Sequence, residues 1–295
     1  MPKTEHWQWY VEEFAATEQH HHAIDELFFS GRSEFQQIAV IHSPVFGKML
    51  VLDGDTQSAQ ADERIYHETL VHPAMAAASD RENVLILGGG EGATLREVLR
   101  CSEVRRCTMV DIDATVVELS KKYLGEWAAG AFDDPRGRVV IGDALAYLHD
   151  NADRYGAIIS DLTEPLEDSP SNPLFNDRVF SLIKSRLAEG GIYVLQASTA
   201  AVHNCALHCK MARTLRRHYE HVTSFLTHVP AFDTEWAFLA CSDRIDLARL
   251  DAERIDAYCS ALRGENFFYD SVTHRRLFAL PLYLRRRLAA GGDTF

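Results

Sequence analysis

The spacing of apolar and polar positions changes at about residue 60 of the chain. Residues 35 to 58 alternate short apolar runs with turn-forming residues such as Gly47 and Gly54, a pattern typical of an antiparallel hairpin or meander. From residue 61 the segment ADERIYHETLVHPAM has helical spacing, with Asp62 at its start and Pro73 near its end. We expect the polar stretch that precedes the hairpin to be helical.

Beyond residue 80, buried-strand runs alternate with helical stretches. The strands are predicted at 83–87, 106–110, 138–141, 156–160 and 192–196. The helices are predicted at 93–100, 114–124, 144–149, 177–187 and 202–219. Such alternation predicts a doubly wound α/β domain with a parallel sheet, over about residues 80 to 241. In the tail we expect a helix at 251–262, an extended segment at 267–280 and a basic terminal helix.

Charge narrows the range of partners. The 295 residues include 43 acidic and 30 basic side chains, a formal net charge of −13. Nucleic acid and anionic membranes both favour a basic surface, so we expect neither as a partner. No apolar run approaches the roughly 20 residues that span a bilayer, and the first residues lack a signal-peptide pattern, so we expect a cytoplasmic protein.

Cysteine and histidine spacing does not predict a metal site. The six cysteines form no CxxC pair, and in a chain of this size they are expected to be reduced thiols. Cys205 and Cys209 lie beside His203 and His208, but the four-ligand spacing of zinc sites is absent. The triplet at residues 20–22 is expected on the solvated face of the amino-terminal helical stretch.

A glycine-rich turn, residues 88–92, joins the first buried strand to its helix and includes Glu91. Glycines let a backbone approach a ligand closely, and Asp111 ends the next strand about 20 residues on, where a carboxylate can hold both ribose hydroxyls. Asp143 follows the third strand and could accept from an adenine amine. Because Glu91 repels phosphate and attracts a cation, an adenosyl sulfonium is favoured over a dinucleotide. The alternative is that Glu91 faces solvent at the helix start.

Further carboxylates follow the fourth strand in the segment ISDLTEP. Asp161 lies at the carboxyl edge of the sheet, where open α/β sheets bind ligands, and Glu164, Glu167 and Asp168 come soon after. If these side chains converge, they form a pocket for a cation. A solvated acidic loop is the alternative.

Together these motifs resemble the spermidine synthase family of polyamine aminopropyltransferases. The segments are GGGEGATLREVL, VDID, the GDA turn, SDLTEP, YHE and the FQ of the hairpin, from about residue 35 to 280. The resemblance implies an α/β fold, with a small N-terminal antiparallel β domain (1–60) and a Rossmann-like, methyltransferase-type catalytic domain (61–295). It implies transfer of an aminopropyl group from decarboxylated S-adenosylmethionine, as co-substrate, to an amine, with release of methylthioadenosine. It also implies a homodimer or homotetramer, and no cofactor or metal.

The resemblance also implies roles for individual residues. Asp161 corresponds to the catalytic carboxylate that orients the attacking nitrogen and accepts its proton, and Tyr66 assists it. The donor-binding positions are Gln36, Gln57, Gly88, Glu91, Asp111, Asp143 and Ala144. The acceptor-binding positions are His67, Glu164, Gln196, Phe232 and Trp236.

Departures from the family pattern concern the acceptor. The second carboxylate of the usual DSSDP loop is Glu164 in DLTEP, and Pro230 is followed by Ala231 and Phe232 where a tyrosine is usual. In motif the chain is more similar to thermospermine synthases and bacterial agmatine or triamine aminopropyltransferases, so putrescine, agmatine and longer polyamines all remain candidate acceptors. Two other functions stay open: a methyltransferase that uses intact S-adenosylmethionine, and a non-catalytic polyamine-binding protein.

Overall fold

The computed structural model describes residues 7–15, 17–165 and 169–290. Its strands are β1 Gln8–Ala15, β2 Glu18–Ile24, β3 Glu26–Arg32, β4 Gln37–Ser43, β5 Gly47–Leu52, β6 Asp55–Ala59, β7 Asn83–Gly88, β8 Arg106–Asp111, β9 Gly137–Ile141, β10 Tyr155–Asp161, β11 Leu187–Thr199, β12 His221–Val229 and β13 Thr234–Ser242. Its α-helices are α1 Glu63–Ala77, α2 Ala93–Leu99, α3 Ala114–Tyr123, α4 Gly125–Ala128, α5 Ala144–Asp150, α6 Asp177–Arg186, α7 Ala206–Leu215, α8 Ala252–Ser260, α9 Ser271–Leu277 and α10 Leu282–Ala290. None of the described helices is long and apolar enough to cross a membrane.

The amino-terminal region is built entirely from antiparallel strands. Strands β1 and β2 form a two-stranded sheet, and β3 to β6 form a four-stranded meander. The expectation of a helical polar stretch before the meander is therefore wrong. His20 to His22 lie on β2, where alternate side chains face opposite sides: His22 is buried against Tyr10 and Phe46, whereas His21 is exposed beside Trp9.

The larger region, residues 83–242, contains one seven-stranded sheet. Its strand order is β9-β8-β7-β10-β11-β13-β12. Strands β7 to β11 pair in parallel, and β13 is antiparallel to both of its neighbours. Chain order reverses between β7 and β10, because the chain runs from β7 outward to β9 and then returns to β10 on the other side. In open α/β sheets such a switch point is where ligands bind.

Helices cover both faces of this sheet, as predicted. Alternate residues of β7 enter different cores: Val84 and Ile86 join the cluster that includes α1, α2 and α8, whereas Leu85 and Leu87 join the cluster with α5, α6 and α7. Helix α1 is buried along nearly its whole length and packs against α2 and β11. This burial fixes which of its side chains point toward the carboxyl edge of the sheet.

The prediction for the carboxyl-terminal third was partly wrong. Strands β12 and β13, which form the antiparallel edge, were not predicted, and the helix expected at 202–219 is shorter. The segment expected to be extended at 267–280 contains α9, whose first turn is capped by the carboxylate of Asp270 accepting from the backbone N–H of Thr273. Short apolar runs do not distinguish a strand from a buried helix, which explains these errors.

Candidate active site

The site begins where β7 and β10 end side by side. Gly88 pairs with Asp161 in the sheet, and the Asp161 carbonyl accepts from Gly89 N–H at 2.9 Å. Gly88 has a φ of +81°, and a Cβ there would lie 2.2 Å from the Asp161 carbonyl oxygen. A Cβ at Gly90 would lie 2.7 Å from Asp111 Oδ2. The glycine turn therefore lets the Asp161 carbonyl group and the Asp111 carboxylate approach its backbone closely.

The carboxylate of Asp161 is held on both oxygens by neutral hydroxyl groups. Tyr66 donates to Oδ1 at 2.9 Å and Thr94 donates to Oδ2 at 2.5 Å. Burial, followed by the charge of Asp161, raises the pKa of Tyr66 well above its ordinary value, so the phenol keeps its proton. Tyr66 is thus a hydrogen-bond donor at this site, and the Asp161 carboxylate is its acceptor.

Glu91 extends from the glycine turn into a cavity at the carboxyl edge of the sheet. On the side away from the cavity, its carboxylate pairs with His67. His67 Nε2 lies 2.6 Å from Glu91 Oε1, and the His67 side chain is only 2% exposed. Burial raises the pKa of Glu91, and the neighbouring His67 opposes that effect. His67 was expected to line the acceptor pocket, but its ring nitrogens face oxygen atoms of Glu63 and Glu91. Its side chain lines neither of the two cavities found at this edge of the sheet, so the expectation does not agree with the structure.

The other predicted donor positions surround one cavity of about 170 Å³. Asp111 accepts from the backbone N–H of Asp113, and burial raises its pKa to about 6. Asp143 caps α5 by accepting from Leu145 N–H at 2.6 Å. Gln36 reaches from the amino-terminal meander and donates to Asp113 at 2.9 Å. The wall includes all seven predicted positions, Gln36, Gln57, Gly88, Glu91, Asp111, Asp143 and Ala144, together with Tyr66 and Asp161.

A second cavity, of about 460 Å³, meets the first at Gln36, Gln57, Tyr66 and Thr163. It is lined by four of the predicted acceptor positions, Glu164, Gln196, Phe232 and Trp236. Gln196 is held by donating to the Leu162 carbonyl at 2.7 Å and accepting from Ser198 N–H at 3.0 Å. The rings of Tyr66, Phe232 and Trp236 are packed edge to face, with neighbouring centroids 6.1 and 5.0 Å apart.

The second cavity is strongly acidic. Glu12, Glu13, Asp53 and Asp55 from the amino-terminal strands and their turns join Glu164, and Arg32 is the one Lys or Arg side chain among the described lining residues. Burial, together with the charges of Glu12, Glu164 and Asp53, raises the pKa of Asp55 to about 6. Burial also raises the pKa of Glu164. These carboxylates repel one another, and a bound cation would relieve that repulsion.

Sequence reasoning did not identify Thr94, Glu12 or Asp55 as site residues. Thr94 lies two residues after the glycine turn, at the start of α2. This position could have indicated that its side chain contacts the edge of the sheet. Glu12 reaches the cavity through pairing that is remote in the chain: it accepts from Thr56 Oγ1 at 2.9 Å and from Thr56 N–H at 3.1 Å. Glu167 and Asp168, which were also considered, lie outside the described residues.

Among the described residues, no group of three or more His, Cys, Asp or Glu side chains is arranged to hold a metal ion. Cys205 and Cys209 are free, and Arg287 donates to Cys205 Sγ at 2.8 Å.

Comparison with known proteins places these features in one family. Residues 63–250 match the model of the spermine/spermidine synthase domain, and residues 8–60 match the spermidine synthase tetramerisation domain. A polyamine aminopropyltransferase of Sulfolobus acidocaldarius is 42% identical over 283 residues, which cover 96% of this chain and 93% of the relative. One from Aeropyrum pernix is 45% identical over 244 residues, which cover 81% of this chain and 76% of the relative.

Solved structures agree with the sequence relatives. A crystal structure of spermidine synthase in complex with the transition-state analogue AdoDATO aligns with a TM-score of 0.90 at 26% identity and covers 98% of this chain and 97% of that one. The spermidine synthase of Thermotoga maritima aligns with a TM-score of 0.88 at 26% identity, covering 97% and 96% of the two chains.

Proposed function

The chain belongs to the spermine/spermidine synthase family and catalyses aminopropyl transfer, and from this premise we propose that it moves the aminopropyl group of decarboxylated S-adenosylmethionine to a polyamine. The observation that carries the proposal is the meeting of two acidic cavities at Tyr66, whose hydroxyl group donates to Asp161 in the first cavity. The donor occupies the first cavity and the acceptor occupies the second.

The charge of the first cavity supports the decarboxylated donor. Intact S-adenosylmethionine carries an additional carboxylate, which would face Glu91 and be repelled. Arg96 is the basic side chain nearest along the sequence, but it is bound to Glu63 and Glu97 and donates to the Trp127 carbonyl. A methyltransferase would need a free cation or amide group at this place. Glu91 instead suits the ammonium at the end of the aminopropyl group.

The reaction needs a neutral nitrogen at the acceptor. An alkyl ammonium with a pKa near ~10.4 is deprotonated about once in ~2,500 molecules at pH 7, a cost of roughly 4–5 kcal/mol. The acceptor nitrogen, once neutral, attacks the methylene carbon beside the sulfonium, the carbon–sulfur bond breaks, and methylthioadenosine leaves with the electron pair. Because the sulfonium is an activated leaving group, the protein contributes mainly by positioning the reactants.

Asp161 is proposed to orient the attacking nitrogen and to accept its proton. The bonds from Tyr66 and Thr94 fix the plane of the carboxylate and leave lone pairs for the substrate. A protein that only binds polyamines would not require a carboxylate held in this way by Tyr66 and Thr94.

The second cavity favours an acceptor with more than one positive charge. Asp55, Glu12 and Glu164 lie along its wall, so a far ammonium or guanidinium of the acceptor would be paired there. The indole N–H of Trp236, 8% exposed, has no hydrogen-bond partner among the described residues and is a further donor at the wall. We propose that a triamine or agmatine is accepted in addition to putrescine.

Oligomer formation follows from the tetramerisation domain, and we propose a homotetramer, with a homodimer as the alternative. Trp9, Val11 and Leu27 expose apolar surface on strands β1 and β3, which suits a subunit contact. Light scattering on the purified protein measures the assembly mass; a monomer would contradict the proposal.

The experiment that tests the function offers the protein decarboxylated S-adenosylmethionine with putrescine, cadaverine, agmatine, diaminopropane or spermidine. We expect methylthioadenosine release that depends on an added amine, with agmatine or spermidine among the active acceptors. Intact S-adenosylmethionine serves as the control donor and should give no transfer. Absence of product with every amine would reject the proposed function.

A further inference from the structure

A chain of charged side chains extends from Glu91 into the protein, away from the cavity. His67 Nε2 lies 2.6 Å from Glu91 Oε1, and on the other side of the ring His67 Nδ1 lies 3.0 Å from Glu63 Oε2. Glu63 is in turn held by both terminal nitrogens of Arg96, at 3.0 and 2.8 Å. The side chains of Glu63 and His67 are 9% and 2% exposed, so water screens this arrangement little.

The proton between His67 and Glu91 has two possible positions. Nδ1 faces the Glu63 backbone carbonyl at 2.6 Å, and since a carbonyl only accepts, Nδ1 carries a hydrogen. Nε2 faces Glu91, so either a protonated Glu91 donates to a neutral imidazole, or an imidazolium donates to an ionised Glu91. Only the second arrangement leaves a negative charge on Glu91.

Glu63 biases this choice. Burial lowers the pKa of His67, but the neighbouring Glu91 and Glu63 carboxylates outweigh it and raise the pKa well above its usual value. Burial raises the pKa of Glu63, but the hydrogen bonds from His67 and Arg96 outweigh burial, and the pKa of Glu63 is lowered. An ionised Glu63 beside Nδ1 therefore favours the imidazolium.

Other titratable groups also face this pair. Asp161 Oδ2 lies 4.0 Å from His67 Nε2, and the Tyr66 ring packs against His67 with centroids 5.0 Å apart. Asp62 interacts with His67 through its charge, although its carboxylate is bound by Ala231 N–H. Asp161 and Asp62 act in the same direction as Glu63, but neither forms a hydrogen bond with the Nδ1 side of the ring.

We propose that Glu63, acting through His67, keeps Glu91 ionised so that the cavity binds the ammonium of the donor's aminopropyl group. This inference rests on the proposed function, because it concerns the same donor. Glu63 is a positioning residue in this scheme, since it does not line the cavity and acts on the ligand only through His67.

Glu63→Gln tests the proposal, because it removes the charge and keeps an oxygen that can accept from Nδ1. We expect the dissociation constant of decarboxylated S-adenosylmethionine to rise about tenfold at pH 7, the effect of a variant in which Glu91 is ionised in about one molecule in ten at that pH, and to approach the wild-type value near pH 9. Methylthioadenosine lacks the ammonium, so its affinity should not change. Titration calorimetry in buffers of different ionisation enthalpy should show proton release on donor binding by the variant and none by the wild type.

Glu97→Gln is the matched control. Glu97 is a buried carboxylate that, like Glu63, pairs with Arg96, here with Nε at 2.8 Å, but contacts neither nitrogen of His67. It should leave the pH dependence of donor binding unchanged. A similar shift in both variants, or no shift in Glu63→Gln, would overturn the proposal.

A measurement on the wild type covers the case in which the variants do not fold. Nitrogen chemical shifts of the His67 ring, assigned by their loss in His67→Gln, should report an imidazolium from pH 6 to 8.5; a neutral ring below pH 8 would refute the proposal. Failure of the proposed function is distinguishable, because it would appear as absent methylthioadenosine release from the wild type with every amine.

Discussion

The active site has a donor half, formed by the first cavity, and an acceptor half, formed by the second cavity. The carboxylates of the two halves have different surroundings. In the donor cavity each carboxylate has a protein partner: His67 for Glu91, backbone N–H groups for Asp111 and Asp143, and hydroxyl groups for Asp161. In the acceptor cavity, Asp55 is surrounded by other acids, and their charges together with burial raise its pKa. The donor half is thus organised before the ligand arrives, whereas the acceptor half holds charge that a ligand cation must balance.

This difference separates the determinants of chemistry from those of acceptor choice. The donor half is built on strand ends of the parallel sheet, and its geometry follows from that sheet. The acceptor half combines the sheet edge with the amino-terminal strands. Variants on the two sides should therefore change different kinetic constants.

The largest effect is expected at the junction of the two halves. Asp161→Asn removes the proton acceptor and should lower kcat by a factor on the order of 10²–10⁴. Methylthioadenosine binding should stay near wild type, which calorimetry can check. Asp150→Asn, an exposed carboxylate at the end of α5, serves as the control. Near-normal turnover of Asp161→Asn would show that Asp161 is not the proton acceptor.

On the donor side, Glu91→Gln removes the charge that faces the aminopropyl ammonium. A charge-assisted hydrogen bond contributes about 1.5–3 kcal/mol, so we expect KM for the donor to rise roughly 10- to 100-fold. KM for the acceptor should change little, and methylthioadenosine should bind as before. Equal changes in both KM values would mean that the halves are not separate.

On the acceptor side, Asp55→Asn should raise KM for spermidine or agmatine by about 3- to 10-fold, and less for putrescine, because only a long acceptor reaches this carboxylate. For the wild type, KM should fall as pH rises through about 6, since Asp55 becomes ionised there. The variant should lose this component. Asp53→Asn, an exposed acid lining the same cavity, is the control and should show a smaller effect. If Asp55→Asn left the acceptor KM values and their pH dependence unchanged, the proposed difference between the two halves would be contradicted.

The smallest effect concerns stability without ligand. A carboxylate whose folded pKa is raised stabilises the protein at low pH, and this contribution is lost as pH rises through the folded value, here about 6 for Asp55. Asp55→Asn should therefore gain about 1 kcal/mol relative to wild type between pH 5 and pH 7.5, after allowance for solvent screening. Thermal unfolding at the two pH values measures the difference. A constant difference would mean that the pKa of Asp55 is not raised in the folded protein.

Sequence patterns predicted the donor half better than the acceptor half for a physical reason. Parallel strands end at one edge, so acids that follow successive strands, such as Asp111 and Asp161, are brought together by the sheet itself. Spacing also placed Tyr66 and His67 on one helix, but it did not show that His67 points behind Glu91. That orientation depends on how α1 packs between α2 and β11.

The acceptor half depends on contacts between distant parts of the chain. Glu12 and Thr56 meet only because β1 lies against β6, and no local pattern near Glu12 indicates this contact. The missed strands β12 and β13 carry or flank Trp236 and Phe232, so part of the acceptor wall could not be placed from local spacing.

The hairpin of β1 and β2 has a consequence for how acceptor preference can diverge among relatives. It supplies Glu12 to the cavity on one side and exposes Trp9 and Val11 on the other. Residues 8–60 therefore carry part of the acceptor cavity and exposed apolar surface on one segment, together with Gln36 and Gln57 of the donor cavity. Exchanging this segment between homologues would change the acceptor cavity and the apolar surface together. Selection on either property would then alter the other.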